Sequence, residues 1–208
     1  MNLLLKKLYL DKKEFATSEE LKHYCNKLGI NYENTIRNLI ARGHLIRIFK
    51  GVFYIKSLEE KELGKTTYSY HELIAHGLAL KHITAWYFGL STALKLNQMT
   101  HESFAVDHII NDTLFRARPM TIAGHSIKVY KLSRDLLTFG VKTQKNYCYS
   151  DPEKTILDFL YLWRYNGVPE ERIRLDLSEY ITNVSKPKLK RYAQYYPQTV
   201  RTMVEGLT

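Results

Sequence analysis

A helix that stops at a glycine and runs straight into a tight β-hairpin leaves few folds open, and residues 31–55, NYENTIRNLIARGHLIRIFKGVFYI, read that way. Ile36, Leu39 and Ile40 recur at i, i+3, i+4, which puts them on one helical face. Gly43 follows the last periodic residue, where a left-handed C-terminal cap costs least. Leu45, Ile46 and Ile48, then Val52, Phe53 and Ile55, form two β-rich runs around Lys50-Gly51, and a Gly at such a tip permits the turn. A helix followed directly by a basic two-stranded ribbon predicts the second half of a winged helix.

The upstream residues supply the first half. Residues 2–11 predict a helix with Leu4, Leu5 and Leu8 inward, and Phe15-Ala16 a very short strand. Thr17 and Glu20 have capping-box spacing, so each satisfies an orphan N–H at the start of a helix over residues 18–28. Gly29 ends that helix and the third begins near Tyr32. Helix, short strand, helix, turn, helix, hairpin is the winged helix-turn-helix order.

Beyond residue 56 the chain turns polar, and residues 57–70 are expected to be a linker or linker helix. Helices are expected over 71–81 and over 86–96. Residues 104–130 alternate short apolar runs with Asn111-Asp112, Arg118-Pro119 and Gly124, which predicts a small antiparallel sheet, and 147–149 read as a further strand. Ser150 and Glu153 have capping-box spacing ahead of a helix whose buried stripe is Ile156, Phe159, Leu160 and Trp163. Asp158 is expected on that helix's polar face. A helical tail follows, broken at Pro187 and Pro197. The expectation is an α+β protein: a winged helix-turn-helix over 1–56, a linker over 57–70, and a mixed α/β domain over 71–208 with a small antiparallel sheet.

The chain carries 31 Lys and Arg against 21 Asp and Glu among 208 residues, a formal charge of +10. Residues 1–56 hold 11 of those cations against 5 acids, so the N-terminal quarter is the densest in positive charge. Such a patch fits a polyanion partner, and equally a solvated surface. Cys25 and Cys148 form no CxxC pair, which suits a reducing compartment. The apolar run at the N-terminus is too short for a signal peptide, and no stretch is long enough to span a membrane. A cytoplasmic protein is expected.

With Ile36, Leu39 and Ile40 inward, the third helix should expose Asn34, Arg37 and Asn38, with Asn31, Tyr32 and Thr35 at its leading edge. Asn can bond adenine bidentately and Arg can do so to guanine, each good pair contributing roughly 1–3 kcal/mol of discrimination. Thr35 bonds a phosphate or packs inward. Glu33 is expected to face away. Ser18 and the helix start behind it, with Lys22 one turn on, are candidate phosphate contacts. Arg47 and Lys50 would hold the backbone or enter the minor groove. The expected partner is double-stranded DNA.

At these residues the chain resembles the AbiEi-type antitoxins. The wing GHLIRIFKGVF at 43–53, the stretch WYFGLSTAL at 86–94 and the helix start YSDPEKTILD at 149–158 are similar, in that order, to motifs of that family. The resemblance implies an autorepressing transcriptional regulator of a type IV toxin–antitoxin system linked to phage abortive infection. It would bind inverted repeats in its own operator, beside a nucleotidyltransferase-like toxin.

Other chemistry has weaker support. Asp107-His108 with His101 or His125 matches no familiar metal-ligand spacing. Ser91 in GLSTA lacks the second glycine of a nucleophile elbow, and no phosphate-gripping glycine motif is present. Neither an enzyme, a metal nor a cofactor is expected. Tyr192, Tyr195 and Tyr196 beside Lys188, Lys190 and Arg191 are either a second nucleic-acid or partner surface or a solvated amphipathic helix. The alternative to DNA binding is a protein-interaction module whose C-terminal domain binds or counteracts a partner.

Overall fold

The computed structural model describes residues 2–206 and divides into two compact units. The first runs to Thr84 and includes 121–125. The second comprises 85–120 and the chain from Ser126 onward.

In the first unit, α1 (Leu3–Leu10) leads into β1 (Phe15–Thr17), α2 (Ser18–Lys27), α3 (Tyr32–Ala41), β2 (Leu45–Phe49) and β3 (Val52–Ile55). The caps explain the boundaries. The Thr17 hydroxyl accepts the Glu20 N–H at 3.2 Å, and Glu20 returns a bond to the Thr17 N–H at 2.8 Å. At the end of α2, Ile30 N–H reaches the Cys25 carbonyl and Gly29 N–H that of Asn26. The same paired bonds end α3, from His44 to Leu39 and from Gly43 to Ile40. Both are Schellman closures, which need a left-handed residue just past the helix, and Gly43 supplies it with φ +71°. The three strands form an antiparallel sheet ordered β1-β3-β2. Leu4, Leu8, Leu21, Cys25, Ile36, Leu39 and Phe53 share one core beneath it.

The expected linker is structured. Ser57 and Glu60 make a second capping box and start α4 (Leu58–Leu63). Glu60 is buried and also accepts the Tyr54 hydroxyl and the Thr67 N–H, each at 2.5 Å. Burial raises its pKa, but these donors outweigh burial and hold it below the usual carboxylate value. Then α5 (Tyr70–Leu80) packs on the second face of the sheet. A Cβ on Gly77 would lie 2.7 Å from Ile48 and 2.8 Å from Phe49, so only glycine admits this approach. Phe15 stacks on His76 at 4.5 Å and packs against Tyr54 and Tyr68. That is why β3 is buried along its whole length rather than alternating. The first compact unit therefore extends past residue 56 and past the 57–70 segment, because the sheet's outer face is apolar and α5 covers it.

The elements from residue 86 onward, most of them in the second unit, are β4 (Trp86–Phe88), α6 (Leu90–Leu96), β5 (Asp107–Asn111), β6 (Met120–Ile122), β7 (His125–Lys131), β8 (Val141–Gln144), β9 (Tyr147–Ser150) and four helices: α7 (Pro152–Tyr165), α8 (Glu170–Ile181), α9 (Lys186–Ala193) and α10 (Gln198–Glu205). The sheet order is β6-β7-β5-β4-β9-β8. It is larger than expected and mixed rather than antiparallel: β5 runs parallel to β7, and β4 parallel to β9. Residues 86–96 are not one helix. Tyr87 pairs with Ile110 across β4 and β5, and a Cβ on Gly89 would sit 2.5 Å from the Ile110 side chain. The chain turns at Gly89 and only then becomes helical.

Helix α7 is the centre of this unit's core. Its N-cap is Asp151, which accepts the Lys154 N–H at 2.9 Å, in place of the expected Ser150. Glu153 accepts the Ser185 N–H and pairs with Lys188 at 2.9 Å. Asp158 is fully buried, not on a polar face, and so is Lys154. Lys154 Nζ lies 3.3 Å from Asp158 Oδ1 and 4.5 Å from the Phe139 ring centroid. Tyr196 and Tyr87 donate to the two Asp158 oxygens at 2.6 and 2.8 Å. Burial pushes the Asp158 carboxyl up and the Lys154 ammonium down. Tyr196 is thus a core residue, while Tyr195 is exposed.

Candidate nucleic-acid interface

Asn31 starts α3 by accepting the Asn34 N–H on its side-chain oxygen at 2.9 Å. Its side-chain oxygen is therefore used in capping, and the residue is exposed. From that start, Ile36 and Leu39 point into the core and Asn34, Arg37 and Asn38 emerge exposed. Thr35 does not: it is buried on the inner side of α3. Its position 200° from Arg37 on the wheel places it beside Leu39, out of reach of a phosphate.

The exposed face divides in two. Arg37 and Arg47 border one open hollow of about 570 Å³ with Tyr32, Glu33, Ile36 and Ile40. Asn38 opens on the other side of α3, in a hollow shared with Arg42 and His44. Glu33 is exposed and lies beside Arg37 rather than facing away, since the two are one helical turn apart. Arg42, exposed one turn beyond Asn38, is a further cation on this face. Its i+4 spacing from Asn38 is the sequence signal that identifies it.

The remaining positions are set by the sheet and by α2. Lys22 Nζ sits 5.5 Å from the Tyr32 ring centroid, so the cation covers one face of a half-buried ring. The Arg47 guanidinium lies 5.5 Å from the Phe53 ring, its cross-strand partner. A bulge after Arg47 turns both Ile48 and Phe49 inward while Arg47 stays exposed. Lys50 is exposed at the tip. Ser18 is less available than expected. Its N–H donates to the Gly51 carbonyl at 2.8 Å, and the Glu20 N–H is taken by Thr17. With Glu19 and Glu20 in the same turn, the start of α2 is a poor seat for phosphate. Some of the local positive charge is also paired: Lys7 with Asp11 and Lys13 with Glu20, both at 2.9 Å.

A second polar cluster lies in the other unit. The Ser91 hydroxyl is 2.8 Å from His108 Nδ1, while Asp107 accepts the Thr92 hydroxyl at 3.0 Å. Burial lowers the His108 pKa to about 4.

No protein-family model matches the sequence, and no curated protein matches it significantly. Among solved structures, the chain is similar to the RV2827C protein of Mycobacterium tuberculosis, with a TM-score of 0.58 and 14% identity over 98% of this chain and 74% of that one. At that identity the likeness is one of fold. Among the described residues, no helix is long and apolar enough to cross a membrane.

Proposed function

We propose that the first unit is a winged helix-turn-helix that binds double-stranded operator DNA, and that the chain is a cytoplasmic transcriptional regulator. The observation that carries this reading is α3: a helix capped at both ends that exposes Asn34, Arg37 and Asn38 beside a hairpin tipped by Lys50. In this reading Arg37, Asn34 and Asn38 contact base edges, where hydrogen-bond patterns distinguish base pairs. Lys22, Arg42, Arg47 and Lys50 contact phosphates and set the register. The resemblance to AbiEi-type antitoxins extends the proposal to autorepression through inverted repeats and to a role beside a nucleotidyltransferase-like toxin.

The test is a footprint on the DNA upstream of the chain's own reading frame, with affinity measured over a range of salt. Four phosphate contacts predict a slope of log affinity against log salt of roughly 3 to 4 in magnitude. A flat salt dependence, or protection no better than on unrelated DNA, would rule the regulator out. Suppression of a neighbouring toxin's growth arrest on co-expression tests the antitoxin role separately.

A protein-docking role is the second reading. It is favoured by the hollow between α3 and β2, where the part-exposed Ile40 and the exposed Ala41 give an apolar floor and Glu33 adds a negative charge.

A further inference from the structure

A hollow of about 990 Å³ opens in the second unit, past the carboxyl ends of the parallel neighbours β5 and β7. In open α/β sheets ligands settle outside the carboxyl ends of the strands. Here residues 112–117 leave β5, residues 132–134 leave β7, and the last turn of α7 closes the far side.

One wall is built in advance. Asn111 is fully buried at the end of β5. Its amide nitrogen donates to the Leu114 and Tyr130 carbonyls at 2.9 and 3.0 Å. Its oxygen accepts the Thr113 and Leu114 N–H groups at 2.9 and 2.5 Å. A buried side-chain amide satisfied on both atoms fixes the loop leaving β5 against β7.

The lining has two kinds of group. Lys128, Lys131 and Arg134 are cations, and Asp112 is the carboxylate among the lining residues, 3.6 Å from Arg134. Tyr165 and Phe115 are 80% and 64% exposed. Large rings left in water around a concave site mark it for a ligand rather than for the core. Flat rings beside cations match a base and its phosphates. The carbonyl end of α7 repels anions, so the phosphates belong at the strand end and the base at the Tyr165 end.

We infer that this hollow binds a nucleoside phosphate, its base against Tyr165 and its phosphates on Lys131 and Arg134. The inference does not depend on DNA binding by α3: Arg37→Ala should leave nucleotide binding unchanged.

The experiment is calorimetric titration of the full chain with ATP, GTP, inorganic tripolyphosphate and a short oligothymidylate. Saturable one-to-one binding of ATP or GTP, tighter than tripolyphosphate, is expected. Tyr165→Ala should weaken it roughly tenfold, the size of effect that removing one stacking ring produces. Lys131→Ala should weaken it and lower its salt dependence. Both residues are exposed, so each variant should retain the fold. The inference is overturned if neither nucleotide binds, whether or not the oligonucleotide does. It is equally overturned if tripolyphosphate binds as tightly as the nucleotides and Tyr165→Ala changes nothing, since that describes a bare cationic patch.

Discussion

The Ser18 N–H donates to the Gly51 carbonyl at 2.8 Å, so the first residue of α2 is tied to the tip of the β2–β3 hairpin. Gly51 has φ +81°, and an added Cβ would meet the Ser18 hydroxyl at 3.3 Å. The hairpin tip that carries Lys50 is therefore positioned by α2 as well as by its own strands.

Gly51→Ala should destabilise the protein by about 1–3 kcal/mol, the range for a non-glycine residue held in left-handed backbone. Urea unfolding measures it. An unchanged midpoint would mean the tip relaxes out of its tie to Ser18.

If α3 reads bases, Arg37→Ala and Asn38→Ala should each reduce discrimination between operator and mutated operator by about 1–3 kcal/mol. Lys50→Ala should weaken binding nearly equally across sequences and reduce the salt slope by about 1. Competition binding separates the two effects. Preserved preference in the α3 variants would remove the base-reading assignment.

Gly77→Ala should cost about 1–3 kcal/mol, as overpacking does, because Ile48 and Phe49 leave no room for a methyl group. The same variant should disturb amide signals of β2 in an NMR spectrum. Silence at β2 would contradict the packing of α5 on the sheet.

Asp158→Asn leaves Lys154 buried without its counter-ion and should cost about 3–5 kcal/mol, the penalty for breaking a buried pair from one side. Replacing both, as Lys154→Met with Asp158→Leu, should cost less than the sum of the singles. A strictly additive pair, measured by the same urea melts, would mean the two side chains are not coupled.

His108 makes stability depend on pH. Its pKa is about 4 in the folded chain against an ordinary 6.5, so between those values the unfolded chain binds more protons. Stability should fall as pH drops from about 6.5 towards 4, by at most about 3 kcal/mol, and level off for this group below that. His108→Gln should flatten that limb in melts recorded from pH 7 to pH 4. An identical pH profile for the variant would remove His108 as its source.

Signals acting within half a dozen residues were legible in the chain. The Thr17–Glu20 box, the glycine closures at Gly29 and Gly43, the hairpin around Lys50-Gly51 and the inward stripe of Ile36 and Leu39 are all local, and the exposed Asn34, Arg37 and Asn38 follow from that stripe. Residues 86–96 were not legible, because Trp86 to Phe88 and Leu90 to Leu96 join a strand to a helix without a composition change. Asp158 was expected on the polar face of α7 because an acid on an amphipathic helix is almost never fully buried unless paired.

The amino-acid sequence by itself determined where helices begin and end in the first 55 residues, since caps and turn residues act through bonds to near neighbours. Only the tertiary structure decided the rest. It turned Thr35 into the core, used the Ser18 N–H on Gly51, and paired β5 with β7 in parallel. Each of those outcomes depends on a partner brought close by packing. Burial around Lys154 and Asp158 likewise depends on Tyr87, Phe139 and Tyr196, which come from distant parts of the chain, because the dielectric felt by a charge is set by what displaces water from it.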